Sequence, residues 1–509
     1  MFKTIKNDLP ASIVVFFVAL PLCLGIALAS GAPLFSGLIA GIVGGIVVGS
    51  ISGSKIGVSG PAAGLAAIVL TSIATLGGFE NFLVAVVLGG VIQLILGVLK
   101  AGVIGYYFPS SVIKGMLTGI GIIIIMKQIP FFFGYDKSAD FSLDAISVGS
   151  TLVGFIGLGI LILWQQVLSK KGKIFQLIQG PLVAVVVGII FYIVTEGNEQ
   201  LGINASQLVS VPVPDGIDSF LGQFTFPNFG AIGNKDVWIV AFTIAIVASL
   251  ETLLCVEATD KLDPDKNVTP TNRELLAQGV GNIVSGLIGG LPVTQVIVRS
   301  SANIQSGGKS KMSAIIHGFF LLISIILIPT LLNKIPLSAL AAVLLIVGYK
   351  LAKPATFINM FKLGRKQFIP FMATVVPMVV TGDLLLGIGL GLAVGIVVIL
   401  FKSYQNSHFL HIEDKSNGQH KIKMTLAEEV TFFNKGAILK ELDNLPENTY
   451  LELDVRQTRY LDNDIIEILE DFAYKAKERN IDIKLISERG IVENPPSFIE
   501  FFKLRPKAA

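Results

Sequence analysis

Apolar stretches of about 20 residues, the length needed to cross a bilayer, recur from Ala11 to Lys402 with only short polar breaks between them. No soluble core absorbs that pattern, so it confines this part of the chain to helices in a membrane, where every backbone polar group must be satisfied within the protein. Composition agrees: 52% of the residues are hydrophobic and 15% charged, against roughly 25% charged in a soluble domain. The runs place spans near 11–29, 34–52, 57–76, 81–99, 109–133, 146–168, 177–196, 237–256, 273–289, 293–305, 311–333, 335–352, 366–382 and 384–402, about fourteen in all. The two lysines ahead of the first run resemble a signal peptide. The run lacks the usual small-residue cleavage pattern and leads into further spans, so it reads as a retained helix.

Lys and Arg set the expected orientation. With the N-terminus inside, cytoplasmic loops hold Lys170, Lys171 and Lys173, then Lys261, Lys266 and Arg273, then Lys309 and Lys311, then Lys350, Lys353, Lys362, Arg365 and Lys366. The long loop from Thr195 to Asp236 has Lys235 alone against Glu196, Glu199, Asp215, Asp218 and Asp236. An even number of spans returns the C-terminus to the cytoplasm. A net charge of +3 argues for neither nucleic acid nor an acidic partner. Cys23 and Cys255 fall in apolar segments, offer no disulfide framework or metal spacing, and read as packing residues.

Two spans are interrupted in corresponding places. Gly57-Val58-Ser59-Gly60-Pro61 opens the third, and Gly289-Gly290-Leu291-Pro292-Val293-Thr294 opens the tenth. Seven spans separate them, an odd number, so a repeat of that length must be inverted. Paired Gly/Pro-broken segments in inverted halves point to a midplane substrate site. Two half-helices starting there would aim unpaired N–H groups and positive dipole ends at each other, which favours an anion. The bland alternative is that Gly and Pro merely kink packed spans. Arg299 lies in the short tenth span, where a cation costs about 2.5–3.5 kcal/mol on insertion scales. Glu251 interrupts the apolar run from Ile239 to Cys255 and is a candidate coupling residue, taking up a proton or ligating sodium; the alternative is a plain ion pair with Arg299. Lys114 and Lys127, near the ends of span five, are expected to snorkel.

At these residues the chain resembles the sulfate-permease (SulP) family of anion transporters. The resemblance is carried by Asp8-Leu9-Pro10-Ala11, Val18-Ala19-Leu20-Pro21, Gly57 to Pro61, Phe108-Pro109-Ser110-Ser111-Val112-Ile113, and most strongly by Asn272-Arg273-Glu274-Leu275, Gln278-Gly279, Asn282, Ser285-Gly286, Gly289 to Pro292, Arg299, Ala302-Asn303 and Ser306 to Lys309. It implies an all-α polytopic protein built as a seven-plus-seven inverted repeat. A core domain (spans one to four and eight to eleven) would move against a gate domain (five to seven and twelve to fourteen), usually in a homodimer surrounded by lipid. The implied anion site takes in Leu22, Ile26, Ser59, Gly60, Pro61, Pro292, Val293, Thr294, Val298 and Arg299, with Arg299 behind the anion and Glu251 as the coupling residue. Animal members carry a Gln and an aromatic at the positions of Leu22 and Ile26, so sulfate, bicarbonate and other small anions stay open, as do proton coupling, sodium coupling and exchange. No cofactor is implied.

From His408 the composition turns charged and strand and helix patterns alternate: strands at 422–426, 450–454 and 481–486, helices at 433–443 and 464–479. A small α/β domain is expected over 404–509, after a membrane domain over 1–403. It resembles the STAS domain that closes most SulP chains. Related anti-sigma-factor antagonists carry a phosphorylated Ser where this chain has Asn463, which has no hydroxyl; dimer support or docking of a cytoplasmic protein are the roles left. The expected location is a bacterial-type inner membrane, with both termini cytoplasmic. Two competing functions are a nucleobase permease of the same architecture, which would want an acid where Arg299 stands, and a membrane-tethered regulator acting through its STAS domain. No nucleophile–base set or metal cluster suggests an enzyme.

Overall fold

A computed structural model describes residues 4–103, 109–135, 146–168, 171, 175, 179–213, 220–416 and 419–503. Phe108, Lys170, Lys173, Asp215 and Asp218, used above, lie outside them. The chain divides into two compact units, Met1–Leu392 and Ala393–Ala509.

In chain order the main helices are α1 (Ile5–Ala29), α2 (Leu34–Ile51), α3 (Ala63–Thr75), α4 (Phe79–Val98), α5 (Ser110–Phe132), α6 (Val148–Leu168), α7 (Gly180–Thr195), α8 (Lys235–Leu262), α9 (Thr271–Leu287), α10 (Ile297–Gln305), α11 (Met312–Leu327), α12 (Leu337–Leu351), α13 (Arg365–Thr381) and α14 (Leu384–Gln405). Among the described residues, eight helical segments are individually long and apolar enough to cross a bilayer, the one that begins with α12 running on to Lys362, and α3, α7 and α11 are shorter apolar helices. α4 packs most extensively on α9 and then on α8, while α1 packs on α11, α2 and α10; a second set joins α5 to α12 and α13, and α6 to α12 and α7. Lys114 and Lys127 are exposed near the two ends of α5.

The expectation of a purely helical membrane unit needs correction. Ser59–Pro61 (β1) and Val293–Gln295 (β2) form an antiparallel pair in register Ser59 to Gln295, Gly60 to Thr294 and Pro61 to Val293. The reason is backbone accounting: where a helix is broken inside the protein, its N–H and C=O groups need other partners, and each broken segment supplies them to the other.

Cations close the C-terminus of α2. Lys311 donates through Nζ to the carbonyls of Ser50 and Ser52, and Arg273 donates through Nε to that of Ile51. Both satisfy carbonyls that a helix end leaves free.

In the second unit, after the end of α14, the strands are β3 (His408–Ser416), β4 (Gln419–Leu426), β5 (Glu429–Val430), β6 (Thr449–Asp454), β7 (Tyr460–Leu461), β8 (Asp482–Ser487) and β9 (Gly490–Glu493), with helices α15 (Lys435–Asp443), α16 (Asn463–Glu478) and α17 (Phe498–Lys503). The main sheet runs β3-β4-β6-β8-β9, parallel at β4–β6 and β6–β8 and antiparallel at both edges. Its core gathers Met424, Leu453, Ile465, Leu469, Phe472 and Leu485, all buried. Asp462 caps α16, accepting from the Asp464 N–H at 3.2 Å. Asp454, at the end of β6, accepts two hydrogen bonds from the Arg456 guanidinium and pairs with Lys423; Arg456 above all holds its carboxyl well below the usual aspartate range.

Candidate functional site

The site grows from the β1–β2 pair and the polar side chains that hold it. Asn282, on α9, grips Val293 by both backbone groups: its Oδ1 accepts from the Val293 N–H at 2.6 Å and its Nδ2 donates to the carbonyl at 3.1 Å. The same Nδ2 donates to Gln93 on α4, which in turn donates to Ser249 on α8. One turn before Asn282, Gln278 donates to the Ser59 hydroxyl at 2.8 Å and to Glu274, whose other oxygen accepts from Ser52. Thr252 accepts from the Gln295 N–H, and Gln295 donates to Thr259. The Ser300 hydroxyl accepts from the Val58 N–H, and Val296 extends the pairing by donating to the Val58 carbonyl. Each such buried bond contributes only about 0.5–1.5 kcal/mol net, but losing one partner strands a buried polar group at about 1–3 kcal/mol. The polar motif on α9 is therefore a brace for the broken segments.

Behind β1 lies Arg299, the bulkiest fully buried side chain among the described residues, on the first turn of α10. A Cβ on Gly60 would stand 2.0 Å from its Nη1, so only a glycine lets the guanidinium approach the strand this closely. Its Nη2 donates to the Cys23 Sγ at 3.3 Å, while Nε and Nη1 have no hydrogen-bond partner among the described residues. No ion pair involves Arg299 among those residues, and the alternative of a plain Glu251–Arg299 pair is not what the structure contains. Glu251 instead turns to the start of α3. Both its oxygens lie 2.6 Å from where a Gly64 Cβ would be, it accepts a backbone hydrogen bond from Gly64, and its Oε2 is buried without a partner among the described residues. One turn further along α8, the Cys255 thiol meets the backbone of Ile297, the first residue of α10. Neither α3 nor α10 is capped by the side chain of its own N-cap residue, Ala62 or Val296.

The other expected residues fall around this frame in different roles. Leu22 and Ile26 are buried on α1, which packs on β1, α3 and α10. Pro61 ends β1 and Pro292 precedes β2, both buried; Val298 is half-buried on α10. Thr294 is buried, with a long 3.4 Å contact from its hydroxyl to the Gln295 carbonyl. Ser59 and Val293 are spoken for by Gln278 and Asn282. Sequence reasoning missed the bracing role of Gln93, Thr252, Gln278 and Asn282, and took Cys23 for packing although it directly follows Leu22.

Broken helices paired back to back, with a buried cation behind them, define a polytopic membrane transporter. The chain belongs to the sulfate permease family, whose model matches residues 5–374. It is 26% identical to YvdB of Bacillus subtilis over 97% of this chain and 93% of that protein. It is 25% identical to the bicarbonate transporter BicA of Picosynechococcus over 84% of this chain and 76% of BicA. Its fold resembles the inward-facing structure of the murine Solute Carrier 26 anion transporter A9, with TM-score 0.76 at 16% identity, covering 94% of this chain and 85% of the other.

Proposed function

We propose that the chain is a secondary active transporter of a small inorganic anion, sulfate or bicarbonate, which binds between the starts of α3 and α10. The observation that carries this is Arg299: fully buried, without a carboxylate partner among the described residues, and pressed against the strand that leads into α3. An unneutralised buried cation beside two helix N-termini makes a positive centre, and an anion relieves it. The family description names sulfate and BicA's name bicarbonate.

Glu251 is the coupling residue in this proposal, through a proton or a sodium ion. Fourteen spans in two inverted halves agree with the antiparallel crossing of β1 and β2 and with the two packing sets, α1–α4 with α8–α11 and α5–α7 with α12 and α13. Such sets would act as core and gate in an elevator motion. The C-terminal α/β unit, consistent with a STAS domain, serves dimer support or docking in the cytoplasm, and the membrane is a bacterial-type inner membrane. Uptake of radiolabelled sulfate and of radiolabelled bicarbonate into proteoliposomes, with proton, sodium and chloride gradients varied one at a time, tests the whole proposal. No accumulation of either anion under any gradient would refute it.

Two variants probe the parts. Gly60→Ala forces the guanidinium away from β1 and is expected to weaken anion affinity about tenfold or more while the protein still assembles; a wild-type KM in uptake would contradict the placement of Arg299. Ending the chain after Ser403 is expected to leave anion affinity within about twofold of the full chain, because all the proposed site residues precede Ile304. Calorimetry on the purified truncated protein measures it, and well-folded material that binds no anion would show that the second unit helps build the site.

A further inference from the structure

The guanidinium of Arg299 has only one hydrogen-bond partner among the described residues, and that partner, Cys23, is uncharged as a thiol. A second polar side chain is buried close by. His317, on α11, is fully buried, and its Nδ1 sits against the carbonyl oxygen of Ala314. A carbonyl only accepts, so Nδ1 carries the proton and Nε2 of the neutral ring is left as an acceptor. That Nε2 has no partner among the described residues. A helix α2 face locates the two groups. A Cβ on Gly41 would lie 3.9 Å from Arg299 Nη1, and one on Gly45 would lie 2.8 Å from His317 Cε1. Gly41 and Gly45 are four residues apart, so these points lie on one face about 6 Å apart along the axis. The two groups therefore border the same short stretch of α2.

We propose that His317 is a positioning residue for anion transport: its Nε2 accepts from the Arg299 guanidinium through one bridging water, and holds it against Gly60. An Asp or Glu would orient the guanidinium equally well but would cancel its charge. A neutral imidazole and a neutral thiol orient it and leave the positive field intact for the anion. This inference rests on the proposed anion site, and the test separates the two.

The experiment compares His317→Asn, His317→Gln and Arg299→Ala with the wild type in proteoliposomes, measuring KM and kcat for whichever of radiolabelled sulfate or bicarbonate the wild type accumulates. Asn keeps a polar group near the Ala314 carbonyl but offers nothing where Nε2 was, whereas the Gln amide oxygen reaches that place. His317→Asn is expected to raise KM about tenfold with kcat within about twofold, and His317→Gln to restore KM to within about threefold of wild type. Wild-type KM in both His317 variants, or an equal fall in kcat and yield with KM unchanged, overturns the positioning role and leaves His317 as packing. If Arg299→Ala keeps a wild-type KM, the anion site itself is misplaced and both proposals fall.

Discussion

Replacing Arg299 with alanine is expected to abolish uptake of the transported anion into proteoliposomes while the protein still assembles in the membrane. The argument is electrostatic. At an effective dielectric of ~20 and a separation on the order of 7 Å, a guanidinium attracts a monovalent anion by about 2.4 kcal/mol, or roughly fiftyfold in affinity, and a divalent anion by twice that energy. Assembly should survive because removing a buried charge also removes its desolvation cost, and no carboxylate is left unpaired by its loss among the described residues. Size-exclusion profiles establish assembly, and uptake at the wild-type rate would remove Arg299 from the site.

Glu251→Gln separates coupling from transport. Gln has nearly the same shape and can still accept the Gly64 backbone bond, but it neither ionises nor binds a proton at neutral pH. Gradient-driven accumulation should fall at least about tenfold, the effect of losing about 1.4 kcal/mol of coupling, while anion-for-anion exchange continues near the wild-type rate. Accumulation on a proton or sodium gradient that survives the substitution intact would exclude Glu251 as the coupling residue. The gradient whose effect disappears identifies the coupling ion.

Hydropathy made the helices legible, because a bilayer imposes a length and an apolar character that no other fold requires together. It located both broken segments through their Gly and Pro residues and singled out Arg299 and Glu251 as charges out of place. It did not disclose β1 and β2. Three-residue strands inside apolar runs have no alternation to detect, and their pairing joins residues more than two hundred positions apart. Nor did it disclose the brace: Gln278 and Asn282 are ordinary polar residues of a helix until the segments they grip are beside them. In the second unit the central strands β4, β6 and β8 were readable from their alternation. The edges β3 and β9 were not, since strongly exposed residues such as Phe409, Ile412 and Ile491 blur which face is buried.

The crossing of β1 and β2 makes chain length, more than residue identity, the quantity under constraint at this point. In a strand pair each residue faces a fixed opposite number and side chains alternate between faces. Adding or deleting one residue between Gly57 and Pro61 would turn Ser59 away from Gln278 and move Gly60 off the guanidinium, although no side chain had been changed. Substitutions here can be graded in their effects, whereas a change of spacing cannot. Variation among functioning relatives should therefore be tolerated in what these segments spell and forbidden in how many letters they use.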